Sequence, residues 1–117
     1  MRIRDKIKKP QRPVVAYEIL PPREKDGTLN SYAETISSLL SQTHIDAINI
    51  PEVHDEVGRG DRPVVNQKRG EPREFGMLLQ DIVGIEAIIN RVVVHDPYDK
   101  QMKWLEETNT KYEIENM

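Results

Sequence analysis

Apolar and polar positions fall along this chain in blocks of two kinds. Val14 to Leu20, VVAYEIL, is almost continuously apolar and opens on two valines. That is strand composition. Pro21-Pro22 closes the run, because proline cannot continue a hydrogen-bonded ladder. A second run, Ile45–Ile50 (IDAINI), meets Pro51. A third, Ala87–Val94 (AIINRVVV), is apolar at both ends around Asn90-Arg91. Between the runs the spacing becomes helical. Ser31-Tyr32-Ala33-Glu34 has the Ser-x-x-Glu spacing of a capping box. Ala33, Ile36, Leu39 and Leu40 then share one face, which predicts a helix over Ser31–Gln42. Pro72 suits a first helical turn, Phe75, Leu78, Leu79, Ile82 and Val83 form a stripe, and Gly84 ends it. After the third run, Asp96 is placed to cap a helix with Pro97 at its first position. Tyr98, Met102 and Leu105 follow at i, i+4 and i+7.

The order is β-α-β-(loop)-α-β-α. Alternation of this kind predicts an α/β fold with a parallel sheet and helices outside it. The helix between the first two strands has the length of a crossover, so these strands are parallel and neighbouring. The connection from Glu52 to Gly70 is long, charged and without period, and such loops are functional or disordered.

Composition narrows the classes. The chain has 117 residues, above-average charge, one Trp and one Phe, which suits one domain with a modest core. The net charge of −3 argues against a dedicated nucleic-acid binder. No apolar run reaches the ~20 residues of a membrane helix. Met1 to Pro13 lacks the apolar segment of a secretory signal. With no Cys, disulfides, thiolate metal sites and a Cys nucleophile are excluded, and the cytoplasm is the expected compartment. Residues 1–13 are basic and read as a flexible N-terminal arm. Residues 14–117 form the domain.

One charge interrupts the first apolar run. Glu18 would be costly in a strand buried on both faces unless paired, protonated or beside water. It also lies near the C-terminal end of its strand, where open α/β sheets and α/β barrels place their chemistry. The alternative is an edge strand with Glu18 facing solvent. Asn49 stands one residue before the second strand ends. It suits either a turn hydrogen bond or a ligand contact. Glu52, His54, Asp55 and Glu56 have metal-binding chemistry without a ligand pattern. Arg59 and Arg62 beside Gly58 and Gly60 could hold an anion, although neither GxxxxGK[ST] nor GxGxxG is present.

YEILPP resembles the opening-strand motif of the methylenetetrahydrofolate reductases. DAINIP is similar to their second strand, and GIEAIINRVVVHD to their third strand and the loop after it. The resemblance runs from about Val14 to Met117. It implies the first part of an FAD-binding TIM (β/α)8 barrel, incomplete in this chain, since such a barrel takes ~250 residues and three strands cannot close one. In that family a nicotinamide or a protein electron donor reduces the flavin. The flavin then reduces methylenetetrahydrofolate to methyltetrahydrofolate. The resemblance makes Glu18 the general acid and gives Asn49, Arg91 and His95 as cofactor-binding candidates. Two departures stand out. Pro51-Glu52-Val53 replaces a Thr-Gly-Ala type loop, and Asn90-Arg91 or Arg91-Val92 stands where a His and a Thr often occur. The segment alone is expected to be inactive, to bind FAD weakly or not at all, and to self-associate through open sheet edges. The other reading is a short non-catalytic paralogue that binds a ligand or partner.

Overall fold

A computed structural model describes residues 2–53 and 68–117, apart from the side chain of His95. Three strands, β1 (Ala16–Glu18), β2 (Ala47–Pro51) and β3 (Glu86–Asn90), form one parallel sheet in sequential order. The α/β class and the parallel sheet are therefore as the apolar blocks predict. Helices α2 (Leu29–Leu40), α3 (Pro72–Val83) and α4 (Tyr98–Thr110) connect and follow the strands, and a short α1 (Ile3–Lys8) precedes them.

The core lies between the sheet and its helices. Ile48 and Ile50 of β2 and Ala87 and Ile89 of β3 alternate toward Phe75 and Leu79 of α3 and Ala33 and Leu40 of α2, all buried. Period-two alternation from the strands meets a helical stripe, and burial of this apolar surface supplies the main favourable term in folding.

Several boundaries differ from the sequence expectation, each for a physical reason. β1 is three residues long and wholly exposed, so the expected double-sided burial of Val14–Leu20 is not found. Among the described residues it is an edge strand, with β2 on one side only. Pro51 does not stop β2. It is the strand's last residue, paired with Asn90, and the next amide, Glu52, donates to the Asn90 carbonyl. Thr28, not Ser31, caps α2: its hydroxyl accepts from the Ser31 amide, while Leu39 points to solvent. β3 ends at Asn90, and Val92, Val93 and Val94 are exposed in the turn that follows. Asp96 is not a side-chain cap of α4, whose N-cap is Pro97. The stripe of Tyr98, Met102 and Leu105 faces outward, and α4 instead buries Trp104 and Thr108. α3 matches its expected bounds, ending at Gly84 in the left-handed region with φ 72°, but of its expected stripe Ile82 is exposed.

The basic segment expected to be a flexible arm is docked. Ile3 is buried, its amide donates to the Glu86 carboxylate, and Arg2 pairs with Glu115. Asp46, just before β2, takes Lys6 Nζ at 3.0 Å, the Arg12 guanidinium at 2.7 and 3.0 Å, and the Val15 amide at 2.8 Å. α1 thereby closes the N-terminal end of the sheet, away from Glu18.

The C-terminal residues add to the other border. Ile114 is buried, and Asn116 forms a parallel bridge to Ile88. Gln80 of α3 joins these parts: its amide oxygen accepts from the Ala87 amide and its nitrogen donates to the Glu113 carbonyl. α3 can approach this closely because position 76 is glycine. A Cβ there would lie 3.1 Å from Ile114 Cδ1 and 3.2 Å from both Ala87 Cβ and Ile89 Cδ1.

Gly76→Val is therefore expected to cost about 1–3 kcal/mol through overpacking, read by urea unfolding; an unchanged midpoint would contradict the close approach. Asp46 gives a pH prediction. The Arg12 guanidinium above all, with the Val15 amide and Lys6, holds its carboxyl well below the ordinary 3.8, against the opposing effect of burial. A lowered folded pKa stabilises above the unfolded value, and that contribution is lost as pH falls through the folded value. The stability gap between the wild-type chain and Asp46→Asn should stay constant above about pH 5 and narrow below the ordinary carboxyl value. A gap that widens on acidification would refute the assignment.

Candidate functional site

Three polar side chains stand in a row across the face of the sheet opposite the core. β1 and β2 pair in register with Glu18 opposite Asn49, so both side chains project to the same side. On β3, Ile88 is opposite Asn49 and Asn90 opposite Pro51, which sets Asn90 one diagonal step further on. Asn90 Nδ2 donates to Asn49 Oδ1 at 2.8 Å, and Asn49 Nδ2 donates to Glu18 Oε2 at 3.1 Å. The chain of donors points one way, toward the carboxylate. It fixes the Asn49 amide with its nitrogen toward β1 and leaves Glu18 Oε1 with no hydrogen-bond partner among the described residues. All three residues lie at or near the C-terminal ends of their strands, where parallel α/β folds put their sites.

The setting of Glu18 differs from the half-buried one expected at a barrel mouth. Its strand is the exposed edge, and Glu18 is exposed with it. Of the two accounts of the charge in the apolar run, the edge-strand account describes its surroundings here. Asn49 makes no turn hydrogen bond among the described residues. Its partners are side chains on the two neighbouring strands.

Arg91 belongs to a second cluster at the same end. Its guanidinium donates to Glu52 Oε2 at 2.9 Å, to the Asp96 carboxylate and to Gln101 Oε1 at 2.7 Å, and it lies 4.5 Å from the centroid of the Trp104 ring. Arg73 packs on the same ring at 5.0 Å and on Tyr112 at 4.7 Å, with Glu71 as its ion-pair partner at 2.8 Å. Burial alone would raise the Glu71 carboxyl. The Arg73 guanidinium and backbone amide outweigh it and hold the group below its ordinary value. The cluster thus joins the turns after β2 and β3 to α4 and the start of α3.

Of the four residues singled out from the sequence, the structure brings Glu18 and Asn49 together and sets Arg91 in a separate ion-pair cluster. The His95 side chain lies outside the described part. So do His54, Asp55, Glu56, Arg59 and Arg62. Glu52 faces Arg91. Among the described residues no group of three or more His, Asp or Glu is arranged to hold a metal ion, and no helix is long and apolar enough to cross a membrane. In the sequence Asn90 reads only as an interruption of its strand. A partial signal is present in the sequence: Asn49 and Asn90 are polar residues within apolar strand runs, and polar residues toward the strand ends of a parallel sheet converge.

Compared with known proteins, the chain matches no protein-family model and no curated sequence.

The Arg91 cluster gives a stability prediction. Arg91→Ala leaves two carboxylates without their guanidinium and should cost about 2 kcal/mol, discounted from a fully buried pair because the site is partly open. Arg91→Lys should recover less than half of this, since lysine has neither the planar fork nor the stacking surface. Trp104 is the single tryptophan, so its emission reports both variants. Full rescue by lysine would show that charge alone matters.

Proposed function

We propose that this chain is the N-terminal part of a flavin-dependent reductase of the methylenetetrahydrofolate reductase type, with Glu18 as its proton donor. The observation that carries the reading is the row Glu18–Asn49–Asn90 at the C-terminal ends of sequential parallel strands, on the face away from the helices. In a (β/α)8 barrel that face is the interior and that end is the catalytic mouth. The YEILPP motif supports the same reading from the sequence.

The chemistry asked of Glu18 is one proton transfer. A carboxylic acid at the mouth protonates a ring nitrogen of methylenetetrahydrofolate, and the five-membered ring opens to an iminium that then accepts a hydride. Asn49 donates to one carboxyl oxygen, so the other is directed at the substrate. Positioned acids of this kind contribute ~10²–10⁴-fold.

The described residues do not by themselves fit FAD. The Arg91 guanidinium is directed at Glu52, Asp96 and Gln101, so this candidate cation is already matched by two carboxylates. The protein side chains themselves supply no hydride. In the proposed reading the flavin and its nicotinamide or protein donor are held by parts of the barrel beyond these three strands.

Titration of the ¹⁵N-labelled chain with 5-methyltetrahydrofolate tests the site. The side-chain amides of Asn49 and Asn90 should shift saturably at millimolar ligand. Amides that stay still while the ligand is present in that excess would overturn the reading. In any assembly of this chain that reduces folate, Glu18→Gln should lower folate reduction by ~10²-fold or more and leave flavin reduction near normal. Equal rates in both half-reactions would make Glu18 a bystander.

A further inference from the structure

We propose that Asn90 is a positioning residue for Glu18. It acts through Asn49, whose amide it holds with the nitrogen toward β1, so that the acid proton of Glu18 is carried on Oε1. The inference deepens the proton-donor reading of Glu18 and rests on it for what that proton does.

Asn49 is the middle member of the row. It is half-buried on the central strand and has a side-chain partner on each neighbouring strand. A primary amide has two unlike ends of nearly equal size: the oxygen accepts and the NH2 donates. Packing therefore does not decide which end faces β1, and hydrogen bonding does. On the β3 side stands a donor, Asn90 Nδ2, 2.8 Å from Asn49 Oδ1. That leaves Asn49 Nδ2 for β1, where it reaches Glu18 Oε2 at 3.1 Å. The backbone that carries the Asn90 donor is itself held. Asn90 pairs with Pro51 at the end of the ladder, and its carbonyl accepts from the Glu52 amide at 2.8 Å.

The direction of the row matters for an acid. A protonated carboxyl has one O–H and one oxygen that accepts. The Asn49 N–H takes Oε2 as its acceptor, so the proton belongs on Oε1. With the Asn49 amide turned over, Oδ1 would face the carboxyl. The acid would then donate from Oε2 to Oδ1, in an O–H···O bond shorter than the N–H···O bond it replaces. Its proton would point along the sheet into the row instead of out toward a substrate. Asn90 opposes that turn. Rotating Asn49 alone sets its NH2 against the NH2 of Asn90, donor against donor, and forfeits a hydrogen bond. Bonds in series also polarise one another, so donation from Asn90 makes Asn49 a better donor to Glu18. Asn90 needs no contact with Glu18 for either effect. A residue that only filled space at the end of β3 would have neither, and an isosteric variant separates the two roles.

The test uses the ¹⁵N- and ¹³C-labelled chain without any ligand. Glu18→Gln removes the charge that would otherwise orient Asn49 and leaves residue 90 to decide. In that chain the Asn49 side-chain NH2 should give its nuclear Overhauser contacts to the methylene protons of residue 18. Adding Asn90→Asp exchanges the NH2 of residue 90 for an oxygen at nearly constant size. The contacts should then move to the β-protons of residue 90. Adding Asn90→Ala instead should leave contacts on both sides. Unchanged Trp104 emission confirms an intact core in each variant. Contacts already divided in the Glu18→Gln chain, or still on the β1 side after Asn90→Asp, would overturn the inference. Folate is absent from these samples, so the two readings fail separately. Contacts that move, in a chain whose amides ignore 5-methyltetrahydrofolate, keep the hold of Asn90 on the row and sink the folate reading. Amides that respond to 5-methyltetrahydrofolate, with contacts that do not move, do the reverse.

Discussion

A single buried carboxylate anchors the start of β1 beside the start of β2. Asp46 gathers Lys6, Arg12 and the Val15 amide immediately before β2 begins. β1 is three exposed residues long, and an edge strand of that length has little packing of its own to fix its position. The Val15 amide on the Asp46 carboxylate, with the Asp46 amide on the Val15 carbonyl, sets where β1 starts relative to β2. With that start fixed, Glu18 falls opposite Asn49. A slip of one residue would turn Glu18 to the opposite face and put Tyr17 or Ile19 in the row. The candidate site at one end of the sheet thus depends on an ion cluster at the other.

The two ends are built from different chemistry. At the N-terminal end, carboxylates on successive elements, Asp46, Glu86 and Glu115, each take a group from the basic segment. At the C-terminal end, Arg91 and Arg73 pack on Trp104 with Glu52, Asp96 and Glu71 around them. Guanidinium groups that stack as well as pair keep their geometry under partial solvation better than ammonium groups do. The turns after β2 and β3 are therefore tied to α4, while the row Glu18–Asn49–Asn90 stays on the opposite face of the sheet.

The strand order, the parallel sense and α3 were legible in the sequence because they follow from apolar period and terminator residues. The register between strands was not. Val14–Leu20 reads as a buried strand, yet composition cannot tell a central strand from an edge when the neighbours are unknown. The stripe Tyr98, Met102 and Leu105 has helical spacing, and the helix formed. It turned the other way, because stacking of Trp104 against two arginines outweighs three moderately apolar side chains. Val92–Val94 has strand composition, but Arg91 draws the chain toward Glu52 and Asp96 and the ladder ends at Asn90. The docking of residues 2–12 was hidden because its partners, Asp46, Glu86 and Glu115, are far away in sequence.

The two hydrogen bonds of Gln80 bear on how the molecule opens. The Ala87 amide, at the start of β3, has a side-chain oxygen of α3 as its acceptor, and the same side chain holds the Glu113 carbonyl. Helix α3, the head of β3 and the C-terminal residues are thereby one cooperative unit in the sense of native-state hydrogen exchange. Protection of the Ala87 amide then reports whether the last residues of the chain are in place. Fraying of the tail would first become visible in exchange, at a position about 26 residues earlier in the sequence than Glu113.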